Sequence, residues 1–200
     1  MDRKGFLMTA SLAAFSISAF GNVKRIENQY KGDCVTTNDI LGPFYRPGAP
    51  TRYDLTYEEL SGSIIELKGR VFNSDCVTPR QNALVEIWHC NTYGEYDNKS
   101  KDFNQRAKWF TNENGEYAFK TILPGKYLNG NLYRPAHIHY RVTEKNSKEL
   151  ISQIYFKDDP YIAEDPWASQ KKAEFRILPI ILEDIKGNLT VNFDIFLKDK

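Results

Sequence analysis

The sequence predicts an all-β protein, an antiparallel β-sandwich with an irregular N-terminal arm and a few short helical turns. From residue 62 onwards, short runs rich in β-branched and aromatic residues follow one another. Turn-forming segments such as Asn-Glu-Asn-Gly and Leu-Pro-Gly separate the runs, as in hairpin-rich proteins. No long segment shows the 3.6-residue apolar period of a helix. The predicted strands are residues 63–72, 82–90, 115–122, 136–142, 150–156, 174–182 and 189–197.

Residues 1–21 have the layout of an export signal. Basic residues in Met-Asp-Arg-Lys-Gly precede an uncharged apolar segment at residues 6–20, and a polar segment follows. The alternative is a buried N-terminal helix, which is disfavoured because such a helix should carry polar residues at helical spacing. We therefore expect an exported protein, periplasmic or secreted, and a cytoplasmic one if residues 1–21 are not a signal.

Residues 22–60 are rich in Gly, Pro and Asp and predict an extended arm that proline stiffens. Asp54 is placed to cap one helical turn near the end of this arm. Residues 61–200 then predict the β-sandwich domain. Within it, residues 158–174 interrupt the strand pattern and predict a loop with a helical turn.

The composition excludes two classes of partner. Lys plus Arg total 27 and Asp plus Glu total 26, so no basic excess is available to bind nucleic acid. No apolar run approaches the roughly 20 residues that a membrane-spanning helix needs. We expect no nucleic-acid partner and no membrane-spanning segment.

The chain has three cysteines. Cys34 and Cys76 both stand in turn-like surroundings, Gly-Asp-Cys-Val-Thr-Thr and Ser-Asp-Cys-Val-Thr-Pro, and export would permit their oxidation. We predict a disulfide between them and a buried thiol at Cys90, in a strand. Three free thiols are the alternative.

The histidines are equally few, yet two of three stand one residue apart in the predicted strand Ala-His-Ile-His-Tyr-Arg-Val. Side chains alternate across a strand, so Ile138 and Tyr140 should face the core while His137 and His139 share the opposite face. Two imidazoles at this spacing can chelate one metal ion. The pair taken alone is also compatible with a solvent-facing strand that binds nothing.

Nearby tyrosines favour a ferric ion over zinc as the metal. No Asp, Glu or Cys occurs from residue 117 to residue 143, whereas tyrosine is frequent. A phenolate needs strong stabilisation at neutral pH, which a ferric ion supplies. Tyr96 and Tyr127 stand at distinctive turn positions. Composition and spacing do not separate them from the other candidates, which are Tyr93, Tyr117, Tyr133 and Tyr140.

Five segments together resemble the intradiol ring-cleavage dioxygenases in letters, order and spacing. They are Leu-Gly-Pro-Phe-Tyr at 41–45, Val-Glu-Ile-Trp-His-Cys-Asn-Thr-Tyr-Gly-Glu-Tyr at 85–96, Leu-Pro-Gly-Lys-Tyr at 123–127, Arg-Pro-Ala-His-Ile-His at 134–139 and Ser-Gln-Ile-Tyr-Phe at 152–156. The resemblance runs from about residue 34 to about residue 197. The combination is far more specific than any one segment.

The resemblance implies one non-haem ferric ion per chain, held by Tyr96, Tyr127, His137 and His139. In the family, the residues matching Tyr127 and His139 are axial, and those matching Tyr96 and His137 are equatorial. It implies cleavage of a catechol-type diol with insertion of both atoms of O2, giving a cis,cis-muconate-type diacid. Tyr127 would leave the metal and accept a substrate proton.

The resemblance also assigns roles around the metal. Arg134 would lie against the substrate ring and stabilise negative charge, with a surface salt bridge as the alternative. Gln153 would lie near the iron without binding it, unless it is an outward strand residue. Ile40 and Pro43 would line the catechol pocket, although Pro43 is equally compatible with a rigid turn. Trp88 is expected in the core and His89 in packing or support of the site.

Two other functions stay open at this point. One is a non-enzymatic β-sandwich binding module, and the other is a zinc or copper hydrolase that uses the histidine pair. The expected partners of the dioxygenase are a small aromatic diol and O2, with a second copy of the chain in a homo-oligomer as a further option. The resemblance also points to a smaller, exported branch of the family.

Overall fold

A computed structural model describes residues 34–183 and 187–200, together with the backbone of two short strands, Lys24–Ile26 (β1) and Gln29–Lys31 (β2). The predicted export signal at residues 1–21 lies outside the described residues. No helix in the described part is long and apolar enough to cross a membrane. The further strands are Ile64–Asn73 (β3), Leu84–Trp88 (β4), Arg106–Phe110 (β5), Glu116–Ile122 (β6), Tyr127–Asn129 (β7), Leu132–Arg134 (β8), His137–Thr143 (β9), Leu150–Phe156 (β10), Ile177–Leu178 (β11), Ile181–Leu182 (β12), Leu189–Asn192 (β13) and Ile195–Leu197 (β14).

The strands form two main sheets, which confirms the all-β sandwich. The first sheet has the order β11-β10-β9-β4-β5. The second is built on β3, with β6 antiparallel on one side and β13 and β14 parallel on the other. The sheets are therefore mixed, and not purely antiparallel as expected. The chain returns to β3 only after passing through the first sheet, and such a crossover permits parallel pairing.

The structure differs from the predicted strands in several segments: the hairpin of β7 and β8 was not predicted, and the predicted strand 189–197 is divided into β13 and β14. The prediction missed β5, because Arg106 and Lys108 break its apolar alternation and only its pairing with β4 defines it. The predicted strand 174–182 is instead divided. Lys171–Arg176 is a 3-10 helix, and the two-residue strands β11 and β12 flank Pro179, which cannot donate a ladder hydrogen bond. A second 3-10 helix, Ile162–Glu164, lies in the predicted 158–174 loop.

The core lies between the two sheets. On β9, Ile138 and Tyr140 are buried in it, as the alternation predicted. The histidines on the opposite face of β9 are buried as well, at 0% and 1% exposure, so this face also is covered. Other fully buried core residues are Ile65, Leu67 and Val71 of β3, Val85 and Ile87 of β4, Phe119 of β6, Ile154 of β10, Val191 of β13 and Phe196 of β14.

Residues 34–60 form an arm that crosses both sheets without a helix. The Asp39 amide donates a hydrogen bond to the Ile151 carbonyl of β10. Other carbonyls of the arm accept hydrogen bonds from the Lys108 amide of β5 and the Lys120 amide of β6. The expected helical turn after Asp54 is wrong. The Asp54 carboxylate accepts from the Thr56 amide and hydroxyl, which closes a local turn, and the chain then continues irregularly.

Cys34 and Cys76 are joined by a disulfide with an S–S distance of 2.01 Å. The bond ties the first described residue of the arm to the turn that follows β3. Cys90 is a buried free thiol just after β4, and its Sγ donates to the Gly125 carbonyl at 3.2 Å. The arm is therefore held by one covalent link and by main-chain hydrogen bonds.

His89 makes a polar link between the two sheets. Its ring is fully buried just after β4, with Nδ1 2.8 Å from the Cys90 carbonyl and Nε2 2.8 Å from the Thr121 hydroxyl on β6. A neutral ring satisfies both contacts, because Nδ1 donates to the carbonyl and Nε2 accepts from the hydroxyl. Burial lowers the pKa of His89 to about 4.

Replacing Cys34 and Cys76 by serine should lower the free energy of unfolding by about 4 kcal/mol, because the link closes a loop spanning 42 positions and restricts the unfolded chain. Urea unfolding of the double variant and the wild type at one pH measures the difference. Cys90→Ser is the control, since it removes a thiol and closes no loop. A double variant as stable as the wild type would show that the hydrogen bonds alone hold the arm.

His89→Gln should reduce the dependence of the free energy of unfolding on pH between pH 6.5 and about 4. As pH falls from 6.5 to about 4, an unfolded His89 takes up a proton that the folded ring resists, so the free energy of unfolding decreases by on the order of 3 kcal/mol. Below that window both states are protonated and the loss stops. His137 and His139 are present in both proteins, so their contributions cancel. A wild-type minus variant difference that stays constant from pH 7 to pH 4 would contradict the assignment.

Candidate metal centre

The strand register places the histidine pair among specific neighbours. In the antiparallel pairing of β9 with β10, His139 lies opposite Gln153 and His137 lies opposite Tyr155. On the other side of β9, Trp88 of β4 lies opposite His139. Residues directly opposite one another project to the same face of a sheet. These side chains therefore form one cluster on the face turned away from the core.

Two loops bring tyrosines to this cluster. Residues 91–95 connect β4 to Tyr96, and Asn91 organises them because its Oδ1 accepts from the amides of Tyr93 and Glu95. The Asn91 carbonyl accepts from the Gly94 amide and from the Gly125 amide of the second loop. That second loop leads directly into Tyr127, the first residue of β7. One asparagine thus connects the two loops.

The two tyrosine loops interlock at their glycines. A Cβ atom on Gly94 would lie 2.3 Å from the Lys126 carbonyl oxygen, and one on Gly125 would lie 2.2 Å from the Thr92 carbonyl oxygen. Gly94 also has a φ of +83°, which most residues avoid. Pro-Gly at 124–125 was expected to make a tight turn. Its glycine serves instead for the close approach of two backbones.

The four residues that the resemblance assigned to the metal converge. The centroids of the His137 and His139 rings are 5.0 Å apart, those of Tyr96 and Tyr127 are 5.7 Å apart, and Tyr127 is 5.5 Å from His137. The Tyr96 hydroxyl lies 3.4 Å from Nε2 of His137. Side chains from three separate segments of the chain therefore surround one space.

The two histidines are oriented differently. Nδ1 of His137 lies 2.7 Å from the Pro135 carbonyl, to which it donates, so Nε2 directs its lone pair into the cluster. His139 is held by packing, because Trp88 stacks on its ring at 4.8 Å and a Cβ on Gly42 would lie 3.0 Å from its Cε1. Trp88 is thus both a buried residue, as expected, and one wall of the site.

The electrostatics of the cluster fit a Lewis-acidic cation. Burial lowers the pKa of His137 to about 3 and that of His139 well below its ordinary value, so both rings are neutral, as ligands must be. Burial, with Cys90 and Tyr127 nearby, raises the pKa of Tyr96 well above 10. A phenolate at Tyr96 therefore requires a cation beside it. Among the described residues, no group of three or more His, Cys, Asp and Glu could hold a metal, so the tyrosines distinguish this site.

Arg134 and Gln153 lie beside the cluster. Arg134 is 2% exposed, and its Nη1 lies 3.4 Å from Nε2 of His137. Its ion pair is with Asp165 and is buried, so the surface salt bridge is wrong. Gln153 is fully buried, its Oε1 accepts from Arg134 at 3.2 Å, and its Nε2 donates to the Ile40 carbonyl at 3.0 Å. The outward orientation of Gln153 is wrong as well.

The arm supplies the remaining wall. Ile40 reaches the site through its carbonyl, and Pro43 is exposed between Gly42, which packs on His139, and Phe44. Phe44 stacks on Tyr96 at 4.2 Å and meets Tyr127 edge-on at 5.8 Å. Sequence reasoning missed Phe44 as a site residue, although it lies within the quoted segment 41–45. It also missed Asp165, for which no local pattern gave a signal.

Comparisons with known proteins agree with this geometry. The sequence model of a family described as "Dioxygenase" matches residues 40–199. A catechol 1,2-dioxygenase of Acinetobacter baylyi is 35% identical over 153 residues, which are 65% of this chain and 49% of that protein. A protocatechuate 3,4-dioxygenase beta chain of Burkholderia cepacia is 34% identical over 134 residues, 58% of this chain and 57% of its own length. The chain spans about half the length of the curated relatives it matches.

Solved structures show the same fold. The dioxygenase domain of a dioxygenase and carbohydrate-binding fusion protein from Streptomyces sp. SirexAA-E superposes with a TM-score of 0.70 at 26% identity, covering 83% of this chain and 99% of that chain. A catechol 1,2-dioxygenase from Acinetobacter sp. ADP1 superposes with a TM-score of 0.71 at 30% identity, covering 82% of this chain and 63% of the other.

Gly94→Ala should destabilise the protein by at least about 2 kcal/mol more than Gly130→Ala, as judged by urea unfolding. Both glycines have positive φ, +83° and +64°, so both variants carry the backbone strain of about 1 kcal/mol. Only the Gly94 Cβ meets the neighbouring loop, because no atom lies within 4 Å of the Gly130 position. Equal losses would mean that the two loops do not depend on this close approach.

Proposed function

We propose that this chain, which belongs to the intradiol ring-cleavage dioxygenase family, is a non-haem Fe(III) enzyme that acts on catechol-type diols. It would insert both atoms of O2 and release a cis,cis-muconate-type diacid. The observation that carries the proposal is the convergence of Tyr96, Tyr127, His137 and His139 on one buried space. The names of the related catechol 1,2-dioxygenases support the same substrate class.

The four converging residues would hold one ferric ion per chain. When bound, such an ion supplies Lewis acidity and a template that orients a catechol. Two neutral imidazoles and two phenols form a hard, nitrogen- and oxygen-rich donor set, which fits ferric iron. Burial keeps competing water away from the two histidines, and Phe44 shields the face of Tyr96.

Tyr127 is suited to accept a proton from the diol. Tyr96 is stacked face to face on Phe44, whereas the contacts of Tyr127 with Phe44, Tyr96 and His137 are edge-on or tilted. Both tyrosines are partly exposed, so it is the absence of a face-to-face ring contact that leaves the Tyr127 phenol the less constrained of the two. A phenolate at Tyr127 would take up a proton from a substrate hydroxyl and so act as an internal base.

Arg134 supplies the positive charge beside the reacting ring. Its guanidinium is buried within 3.4 Å of the His137 edge, where the low dielectric strengthens its field. Negative charge that develops on the diol ring during cleavage would be stabilised by this preorganised donor.

We also propose that the enzyme works outside the cytoplasm, in the periplasm or as a secreted protein. The disulfide between Cys34 and Cys76 supports this compartment, because structural disulfides persist in oxidising environments. The signal-like residues 1–21 support it from the sequence. Expression of the chain with and without residues 1–21, followed by cell fractionation to locate the protein, tests the proposal.

The visible absorption spectrum of the purified, iron-loaded protein should show a tyrosinate-to-iron band that shifts when catechol is added without oxygen. With ¹⁸O₂, mass spectrometry of the product should then show two labelled oxygen atoms. A colourless protein that stays colourless with ferric iron would overturn the proposal, and a zinc-loaded one would favour the hydrolase.

Tyr127→Phe should retain iron yet lower turnover by about 100-fold or more, because the internal base is lost. His137→Ala should fail to retain iron at all. Tyr133→Phe is the matched control, since Tyr133 is exposed on the same hairpin and pairs with Leu128 instead. Iron content by metal analysis and catechol oxidation rates give both readouts, and normal turnover by Tyr127→Phe would show that another group takes the proton.

A further inference from the structure

The donors of Arg134 are divided between two directions. Nε donates to Oδ2 of Asp165 at 2.8 Å. Nη2 faces Oε1 of Gln153, the hydroxyl of Tyr155 and Oδ1 of Asp165 at 3.2–3.4 Å. Nη1 points to the candidate metal centre, 3.4 Å from Nε2 of His137. One edge of the guanidinium is therefore occupied by protein, and the other edge faces the reacting centre.

Asp165 fixes the occupied edge. Its side chain is fully buried, and Oδ1 also accepts from the backbone amides of Trp167 at 3.0 Å and Ala168 at 2.7 Å. Those bonds close a turn that lays the Trp167 ring on the face of the Arg134 guanidinium, 4.4 Å from its carbon. One carboxylate thus holds the arginine by its edge and places the aromatic ring that holds it by its face.

Tyr155 completes the arrangement. Its hydroxyl donates to Oδ2 of Asp39 at 3.0 Å, so its oxygen is left as an acceptor for Nη2 of Arg134. Asp39 is in turn paired with the buried Arg176 at 2.6 Å. Because each acceptor around Nε and Nη2 is itself anchored, the guanidinium has one satisfied orientation.

We propose that Asp165 is a positioning residue that locks Arg134 with Nη1 directed at the substrate. This inference rests on the proposed dioxygenase function and adds a residue that acts through Arg134. A long arginine side chain has many rotamers, and a displacement of about 1 Å at a catalytic group can cost on the order of 100-fold in rate. Asp165 removes that freedom before the substrate binds.

Asp165→Asn should lower kcat by 10- to 100-fold with KM for catechol within about 3-fold, while iron content and the visible band stay unchanged. Glu164→Gln is the matched control, because it removes a negative charge from the preceding, exposed residue, which makes no contact with Arg134. That variant should keep the wild-type kcat.

A double-mutant cycle separates positioning from general damage. In an Arg134→Gln background, adding Asp165→Asn should change kcat by less than about 2-fold, because the group through which Asp165 acts is gone. An equal loss in both backgrounds, or no loss in either, would overturn the proposal.

A second measurement does not depend on activity. In iron-free protein labelled with ¹⁵N-arginine, the Nε–H signal assigned by its loss in Arg134→Gln should exchange slowly with solvent. Exchange of this hydrogen should become fast in Asp165→Asn and stay slow in Glu164→Gln. A rapidly exchanging Nε–H in the wild type refutes the lock even if Asp165→Asn does not fold. A wild type with a slow Nε–H but neither iron band nor turnover would instead refute the dioxygenase function alone.

Discussion

The period-two alternation of β9 is the constraint on which the rest of this protein depends. Ile138 and Tyr140 are buried between the sheets, and that burial fixes the register of the strand against β4 and β10. A slip by one residue would exchange the two faces and expose the core residues, at a cost of several kcal/mol. The same register therefore holds His137 and His139 at the candidate metal centre, so the hydrophobic core determines where the imidazoles lie.

The second face of β9 is buried because the arm and the two tyrosine loops cover it. Gly42 packs against His139, Phe44 packs against Tyr96, and the main chain of Ile40 accepts a hydrogen bond from Gln153. This cover keeps the two strand histidines neutral, since burial is the first cause of their lowered pKa values. The arm belongs to the site as much as the strands do.

Local patterns predicted those features that depend on neighbouring residues in the chain. The alternation of apolar residues gave the faces of β9, and turn chemistry gave most strand boundaries. Phe44 and Asp165 were missed because each acts through contacts between distant segments, 41–45 with the tyrosine loops and 165 with Arg134. Strand β5 was missed for a similar reason, since its charged residue Arg106 donates to the Phe44 and Asp97 carbonyls, partners that no local pattern reveals. The choice of Tyr96 and Tyr127 among the tyrosines came from family resemblance, and their convergence is a tertiary fact.

The interlocked glycine loops have a consequence for how such a site can diversify. Because Gly94 and Gly125 each lie within van der Waals distance of the other loop, an insertion or deletion in either loop displaces both tyrosines together. The lengths of the two loops are therefore coupled, and the metal-binding frame can hardly be altered piecemeal. Side chains can vary more freely on the arm, for example at the exposed Pro43 and at Ile40, which meets Gln153 through its carbonyl. In this architecture the two tyrosine loops have to change together, whereas these arm positions can change one at a time.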